Sequence, residues 1–454
     1  MIEIGQIKEV EITDVNYMGK GVSKIDDLVV FIDGAIEGDK AEIKIIEIKK
    51  NFALGKLLKI KKPSKSRIKP PCQSYEKCGG CQLMHYDYNE QLIYKKNRVK
   101  SELKRANISI DDINIFDTIG MDDPFRYRNK TAFAVSKKNN EIIIGPYEQG
   151  TYNTVDISSC KIQSKEADDA VELFKELMVK YNIEPFDKKT KKGFIRNIVI
   201  RNNSQNELMF IIVTDTEYFP KKKDIVKDLS TQIKSIKTIV QNINSKNTNV
   251  VMGYKNFVLY GEGTLKDNIG DLQFTISPET FFQINPIQTE KLYNTAINYA
   301  DLKENEICFD IYCGIGTISL LAAKKAKKVY GIEMVEQSIK NAKENAKKNN
   351  IDKAEFFAGT AEEILPKLYK EKNIKADCII VDPPRKGCEK EVIDTMIQMN
   401  PEKIVYVSCN PSTLARDIKL LEEGGYKLTK VQPVDMFPWT VHVETVVLMS
   451  RKDK

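Results

Sequence analysis

Lys403-Ile-Val-Tyr-Val-Ser-Cys-Asn-Pro-Ser-Thr-Leu-Ala-Arg-Asp417 reads as a strand that runs straight into a helix. A β-branched apolar run ends at Ser408-Cys409, and Asn410-Pro411 opens a helical pattern through Leu414, Ile418 and Leu421. Asparagine is a good N-cap, and proline is favoured at the first helical position. Cys409 is therefore expected at a strand's carboxyl end, just before a helix N-terminus. Free N–H groups and the helix dipole favour a thiolate there. The competing reading is a small buried hydrophobe, since free cysteine is among the most buried residue types.

Outward from this stretch, residues 270–454 alternate strands and helices, the pattern of a doubly wound α/β domain. A helix is expected over Ile287–Tyr299, a strand over Ile307–Ile311, and then the turn Tyr312-Cys-Gly-Ile-Gly316. Glycines at such a turn let a ligand approach the backbone at a helix N-terminus. A bare Gly-x-Gly falls short of a dinucleotide fingerprint. Val329-Tyr-Gly-Ile-Glu333 ends the next strand in an acid, whose carboxylate can accept from both ribose hydroxyls of a nucleoside cofactor. A later strand, Ala376–Asp382, runs into Pro383-Pro-Arg-Lys-Gly387. Ligands of open α/β sheets lie outside the strand carboxyl ends, which gathers Asp310, Glu333, Asp382 and Cys409 at one rim.

The 454-residue chain has room for two to four domains, and its net charge of +7 is mild for that length. Its first residues are charged and alternating, unlike a signal peptide, and no apolar run reaches the roughly 18 residues of a membrane span. A cytoplasmic enzyme with no membrane association is expected. Residues 1–60 read as short alternating strands punctuated by Gly19-Lys-Gly21, Asp33-Gly34 and Gly38-Asp39, hence a small β-barrel. From Lys49 to Lys69 there are nine Lys or Arg and no acid, which favours nucleic-acid contact over a merely solvated edge.

The nine cysteines fall into groups. In a reducing cytoplasm they are not expected as disulfides. Cys308 and Cys378 lie in apolar strands and read as core; Cys313 occupies the glycine loop, where a small residue is needed. Cys72-x5-Cys78-Gly-Gly-Cys81 can converge on a metal centre. Zinc with His85 as fourth ligand is one reading, and a four-thiolate set completed by Cys160 is another, suited to an iron–sulfur cluster. Spacing alone does not choose the metal.

Between Asn89 and Ile269 the pattern is mixed α/β. Phe125-Arg-Tyr-Arg-Asn-Lys130 interleaves cations and aromatics in a way that suits RNA; Phe194-Ile-Arg-Asn-Ile-Val-Ile-Arg201 reads equally as an exposed strand face.

Asp310-Ile-Tyr-Cys-Gly-Ile-Gly316, Asp382-Pro-Pro-Arg-Lys-Gly387, Ser408-Cys-Asn-Pro-Ser-Thr-Leu-Ala-Arg-Asp417 and His442-Val-Glu444 together resemble the bacterial RNA uracil-5-methyltransferases. The resemblance is closest to the branch that makes 5-methyluridine in 23S rRNA, and it spans the whole chain. It implies a TRAM barrel (OB-like) over 1–62, a mixed α/β RNA-binding domain with the cluster over 63–269, and a Rossmann-like S-adenosylmethionine-dependent methyltransferase domain over 270–454. It further implies a [4Fe-4S] cluster on Cys72, Cys78, Cys81 and Cys160, and S-adenosylmethionine contacts from Gln283, Tyr312, Glu333 and Asp382. Cys409 corresponds to the family's nucleophile and Glu444 to its general base. On an alternating strand His442 would face the same way as Glu444, where it could orient the base or simply be an edge-strand polar residue. Cytosine-5 enzymes carry a cysteine where Arg385 stands, and base-amino enzymes prefer an aromatic there.

The expected activity is therefore methylation of a 23S rRNA uridine at C5, by a chain with no obligate protein partner. A tRNA T-loop uridine is an alternative, although those relatives generally lack the barrel and the cysteine cluster. A non-catalytic RNA-binding assembly factor is another, opposed by the intact Cys409 and Glu444.

Overall fold

The computed structural model describes residues 2–246, 248 and 250–452. Its largest sheet has eight strands in the order Ala354–Ala358, Lys328–Glu333, Ile307–Ile311, Cys378–Val381, Lys403–Ser408, Glu444–Arg451, Tyr426–Val434 and Asn114–Ile115. The first five are mutually parallel, and Glu444–Arg451 is inserted antiparallel. Parallel strands covered on both faces read as near-continuous apolar runs. Cys378–Val381 is buried at every position and Lys403–Ser408 at every position after the first.

Helices cover both faces. Pro286–Ala300, Thr317–Ala323 and Glu336–Lys348 pack on one side, where Cys308, Ile380, Val405 and Val407 point. Tyr88–Arg105, Ala361–Pro366, Lys390–Met399 and Pro411–Glu423 pack on the other, against Phe309, Ile379, Ile404 and Tyr406. The alternation of neighbouring residues between these two cores is the period-two pleat of a strand.

The expected α/β architecture is thus present, with its mixed α/β neighbour. That neighbour is a six-stranded sheet, ordered Lys255–Tyr260, Ile236–Ile243, Leu208–Thr214, Ile195–Asn202, Lys130–Lys138 and Glu141–Gly145. Helices Lys165–Lys180 and Lys222–Gln232 cover one face. Val199, Met209, Ile211, Val213 and Val240 on the other face join the core beneath Pro286–Ala300. The two sheets therefore share a core. Residues 63–269 also feed the large sheet, because Asn114–Ile115 pairs with Lys430 and Val431.

The N-terminal sheet has six strands and closes around Ile12, Val30, Ile32, Ile43, Ile45 and Ala53. Register shifts between Lys40–Ile48 and Phe52–Lys62 give these strands the bends that curl a small sheet. It also contains a strand, Gly21–Ile25, beyond the runs legible from alternation. Among the described residues no helix is long and apolar enough to cross a membrane.

The structure corrects the exposed-face reading of the second basic–aromatic string, whose arginines are buried, and ties the partly exposed first string to its neighbours. Tyr127 is buried, Phe125 stacks on Trp439, and the Arg126 guanidinium donates to the carbonyls of Cys160 (2.7 Å) and Gln163 (2.9 Å) and to Asp168 (2.5 Å). Arg196 and Arg201, in the second string, are buried. Arg196 donates to the Asn244 carbonyl at 2.5 Å, and Arg201 holds the carbonyls of Thr280 and Pro278, the latter at 3.2 Å. Guanidinium forks serve here as internal caps for backbone carbonyls, a use that interleaving alone does not distinguish from phosphate binding.

Candidate active site

Helix Pro411–Glu423 begins as expected: Asn410 caps it, its side-chain oxygen accepting from Ser412 N at 3.2 Å, and Pro411 opens the first turn. Cys409 lies between the end of strand Lys403–Ser408 and that cap, half-buried. The antiparallel ladder ends with Ser408 paired to Thr445, so Cys409 and Glu444 are the next residues at that end, and the Glu444 charge acts on the Cys409 thiol. Glu444 is 3 % exposed.

The electrostatics of this pair differ from the expectation of an activated thiolate. Burial, then the charges of Glu444 and Asp382, push the Cys409 thiol up to about 12, against the pull of Arg385. Burial and the Asp382 charge likewise push Glu444 up to about 8, again opposed by Arg385. The helix N-terminus is present, but desolvation and two facing carboxylates outweigh it. Arg385 is a cation that acts on both groups. Sequence pattern alone assigns Arg385 no such role, although its place in the Asp-Pro-Pro-Arg loop beside Asp382 is a usable signal.

That loop is tied to the nucleophile's helix. The Arg385 carbonyl accepts from Asn410 Nδ2 (3.1 Å) and from Thr413 Oγ1 (3.3 Å). Asp417, fully buried, accepts from Cys388 N at 2.8 Å, Tyr406 hydroxyl at 2.6 Å and Arg416 Nε at 2.8 Å. Cys388 is itself buried between the Tyr312 and Tyr406 hydroxyls.

The remaining rim residues line up beyond Asp382, which burial and the Asp310 charge push up to about 7. Asp310 is also raised to about 7, by burial and, in smaller part, by Glu333. Its Oδ2 accepts from Ser319 Oγ at 2.5 Å, while its buried Oδ1 has no protein partner. Glu333 accepts from Gly314 N at 3.3 Å and Val335 N at 2.9 Å. Gly314 has a φ of +54° and open space where a Cβ would point, so backbone there is free for a ligand to approach. Tyr312 also adopts a positive φ, +69°, and its hydroxyl turns to Cys388. Gln283 is buried beside the Tyr293 hydroxyl, its carbonyl accepting from Asn129 Nδ2 at 2.8 Å. These groups fit a nucleoside cofactor carrying a cationic sulfonium: an orphaned buried carboxylate oxygen, an accessible glycine loop and an acid at the second strand's end.

His442 falls outside the strand, which starts at Glu444, so the simple alternation argument does not apply to it. Its ring meets Phe437 edge-on at 5.9 Å, and burial followed by Arg385 pushes it down to about 4. It is a neutral imidazole at neutral pH.

The cysteines of the N-terminal half form a second locus. Cys72, Cys78, Cys81 and Cys160 line one cavity of about 150 Å³ with Tyr75, Met84 and Arg128. Cys78 Sγ accepts from Gly80 N at 3.3 Å, and Cys160 Sγ receives the N–H groups of Ile162 and Gln163. His85 does not line that cavity; its Nδ1 is engaged by the Tyr75 hydroxyl. Among the described residues no three potential ligands are gathered tightly enough for a single metal ion.

Residues 87–452 match the family model described as tRNA (uracil-5-)-methyltransferase, and residues 2–58 match the TRAM domain. The chain belongs to the tRNA (uracil-5-)-methyltransferase family. An "uncharacterized RNA methyltransferase" of Clostridium tetani is 48 % identical over 440 residues, covering 97 % of this chain and 95 % of the relative. One of Bacillus cereus is 44 % identical over 454 residues, covering 100 % and 98 %. Among solved structures, the tRNA (uracil-54, C5)-methyltransferase of Pyrococcus abyssi, in complex with S-adenosyl-L-homocysteine, superposes with a TM-score of 0.78. It is 26 % identical and covers 97 % of this chain and all of that one. This family member is an S-adenosylmethionine-dependent RNA (uracil-5-)-methyltransferase with an N-terminal TRAM domain.

Proposed function

We propose that the chain methylates C5 of a uridine in 23S rRNA, with Cys409 as nucleophile and Glu444 as general base. The observation that carries this reading is the gathering of Cys409 and Glu444 at one end of the paired strands, where Asp382 and Arg385 act on both groups. Uracil C5 is a weak nucleophile. The Cys409 thiol first gives its proton up to solvent, a loss that the Arg385 charge favours; the thiolate then adds to C6 and turns the ring into an enolate whose C5 is electron-rich, splitting one hard step into easier ones. Bound S-adenosylmethionine supplies the electrophilic methyl group and a positive charge. Glu444 then removes the C5 proton, and the Cys409 sulfur leaves C6 as the 5,6 double bond re-forms. Arg385 favours the charged forms of both groups, and Gln283, Tyr312, Glu333 and Asp382 hold the cofactor. The uridine must leave any stack to reach Cys409, which means base extrusion.

We assign Cys72, Cys78, Cys81 and Cys160 to a [4Fe-4S] cluster. The four thiols share one cavity, and N–H donors aimed at Cys78 and Cys160 are what a thiolate ligand needs. Methyl transfer from a sulfonium consumes no electron, so the cluster's part is folding or RNA docking. The enzyme would work in the cytoplasm as a monomer.

A second reading, a tRNA T-loop uridine, has one observation in its favour. The Pyrococcus abyssi tRNA enzyme aligns along 97 % of this chain, so a full-length architecture is compatible with a tRNA substrate. Mapping 5-methyluridine in both RNAs from a deletion strain separates the two. Loss in 23S rRNA supports the first reading, loss only in the T-loop supports the second, and no loss rejects both.

A further inference from the structure

Residues 435–443 connect strand Tyr426–Val434 to strand Glu444–Arg451, and every N-terminal part of the chain grips them. Fully buried Asp435 takes the Lys95 ammonium and the Tyr88 hydroxyl (2.8 Å), both from helix Tyr88–Arg105. Lys95 also donates to the Phe437 carbonyl at 3.1 Å, and Arg98 donates to that of Val441. The Tyr127 hydroxyl donates to the Pro438 carbonyl at 3.0 Å. Val441 packs with Val15, Ile36 and Leu83, reaching the N-terminal sheet.

Trp439 sits at the centre of this grip. Its φ is +68°, a conformation that bulky residues rarely adopt and that surrounding contacts must impose. Its indole N–H donates to the Pro124 carbonyl at 2.9 Å, and its carbonyl accepts from Leu83 N at 2.9 Å. The ring stacks on Phe125, centroids 5.1 Å apart and planes at 26°, and meets Tyr88 at 5.5 Å. Met84, Met121, Tyr127 and Ile162 complete the cluster, with Cys72, Cys81 and Cys160 packed against it.

Trp439 precedes Glu444 by five residues, and no ladder pairing holds the backbone between them. We infer that Trp439 is a positioning residue, fixing the Glu444 carboxylate near Cys409 by anchoring this segment to the lobe that carries the clustered cysteines. The inference rests on the roles proposed for Cys409 and Glu444. It also gives that lobe a catalytic consequence that needs no electron transfer.

The reaction order makes the inference specific. Addition of Cys409 to C6 and methylation of C5 do not use Glu444; removal of the C5 proton does. A displaced Glu444 therefore leaves the ring bonded to Cys409 Sγ at C6, with C5 carrying both the methyl group and its proton. A residue needed only for folding would leave no such species.

The test uses the full-length enzyme, total RNA from a deletion strain and methyl-labelled S-adenosylmethionine. Trp439→Phe removes the N–H donor but keeps a ring; Phe125→Ala removes the stacking partner from outside the segment. Both are expected to turn over about tenfold more slowly, the scale of a sub-ångström misplacement. Both should also accumulate several-fold more denaturation-resistant, methyl-labelled protein–RNA adduct than wild type, with cofactor binding unchanged. Wild-type turnover in both variants, or slow turnover without adduct, would overturn the inference. Should Trp439→Phe lose its cooperative melt, Phe125→Ala decides. Glu444→Gln is run alongside. Adduct there but not in the Trp439 and Phe125 variants overturns this inference alone, whereas no adduct there overturns the assigned base as well.

Discussion

Ser408 pairs with Thr445 at the end of the antiparallel ladder between the two strands that close the site, which leaves Cys409 and Glu444 as the next residue of each chain segment at that end. The register helps to bring them together: a slip by one residue would turn every side chain of one strand to the other face. The same strands are buried on both faces, which makes the register costly to change.

Replacing Cys409 by alanine should abolish methyl transfer while S-adenosylmethionine still binds. The substitution leaves Asp310, Glu333 and Asp382 untouched, so calorimetric cofactor affinity should stay within about twofold of wild type, under 0.5 kcal/mol. Residual turnover would remove Cys409 from the mechanism.

Asp417→Ala should destabilise the fold by about 2–4 kcal/mol, because it strands the buried donors Cys388 N and the Tyr406 hydroxyl. It should also loosen the Asp-Pro-Pro-Arg loop that presents Arg385. Chemical denaturation measures the first effect. Faster hydrogen exchange confined to residues 383–390 and the start of helix Pro411–Glu423 would report the second.

Glu444, Asp382 and Asp310 are all raised, to about 8, 7 and 7. An acid with a raised folded-state pKa stabilises the fold below its unfolded value and loses that contribution as pH rises through the folded one. The ligand-free protein should therefore lose stability from these acids between about pH 4 and 8. In Glu444→Gln the melting temperature should gain on wild type as pH rises through that window. A constant difference would refute the raised pKa. Turnover, which needs the Glu444 carboxylate, should climb with pH towards about 8.

Anaerobic purification should yield a brown protein with roughly four irons per chain. Stoichiometric zinc in a colourless protein would reject the cluster, and Cys160→Ser should lower iron content as much as Cys81→Ser.

The α/β half was legible because its parallel strands announce themselves as apolar runs and its motifs fall at their carboxyl ends. Strand Ile307–Ile311 and the Asn410-Pro411 helix start lie where local chemistry puts them. What pattern could not supply depends on distant neighbours. The Cys409 thiol is raised by burial and then by the Glu444 and Asp382 charges, all supplied by distant segments packed around it. Arg196 and Arg201 look like phosphate ligands in sequence and turn inward onto carbonyls of other segments. Trp439 gave no periodic signal, since its role comes from Pro124, Phe125 and Leu83.

The central claim is a covalent bond between Cys409 and uracil C6 that only Glu444 can release. Its most direct test is mass spectrometry of nuclease- and protease-digested Glu444→Gln enzyme after incubation with RNA and methyl-labelled S-adenosylmethionine. The account predicts a Cys409-containing peptide that carries a methylated uridine nucleotide. Labelled 5-methyluridine released at the wild-type rate, or an adduct mapped to any other residue, would contradict it.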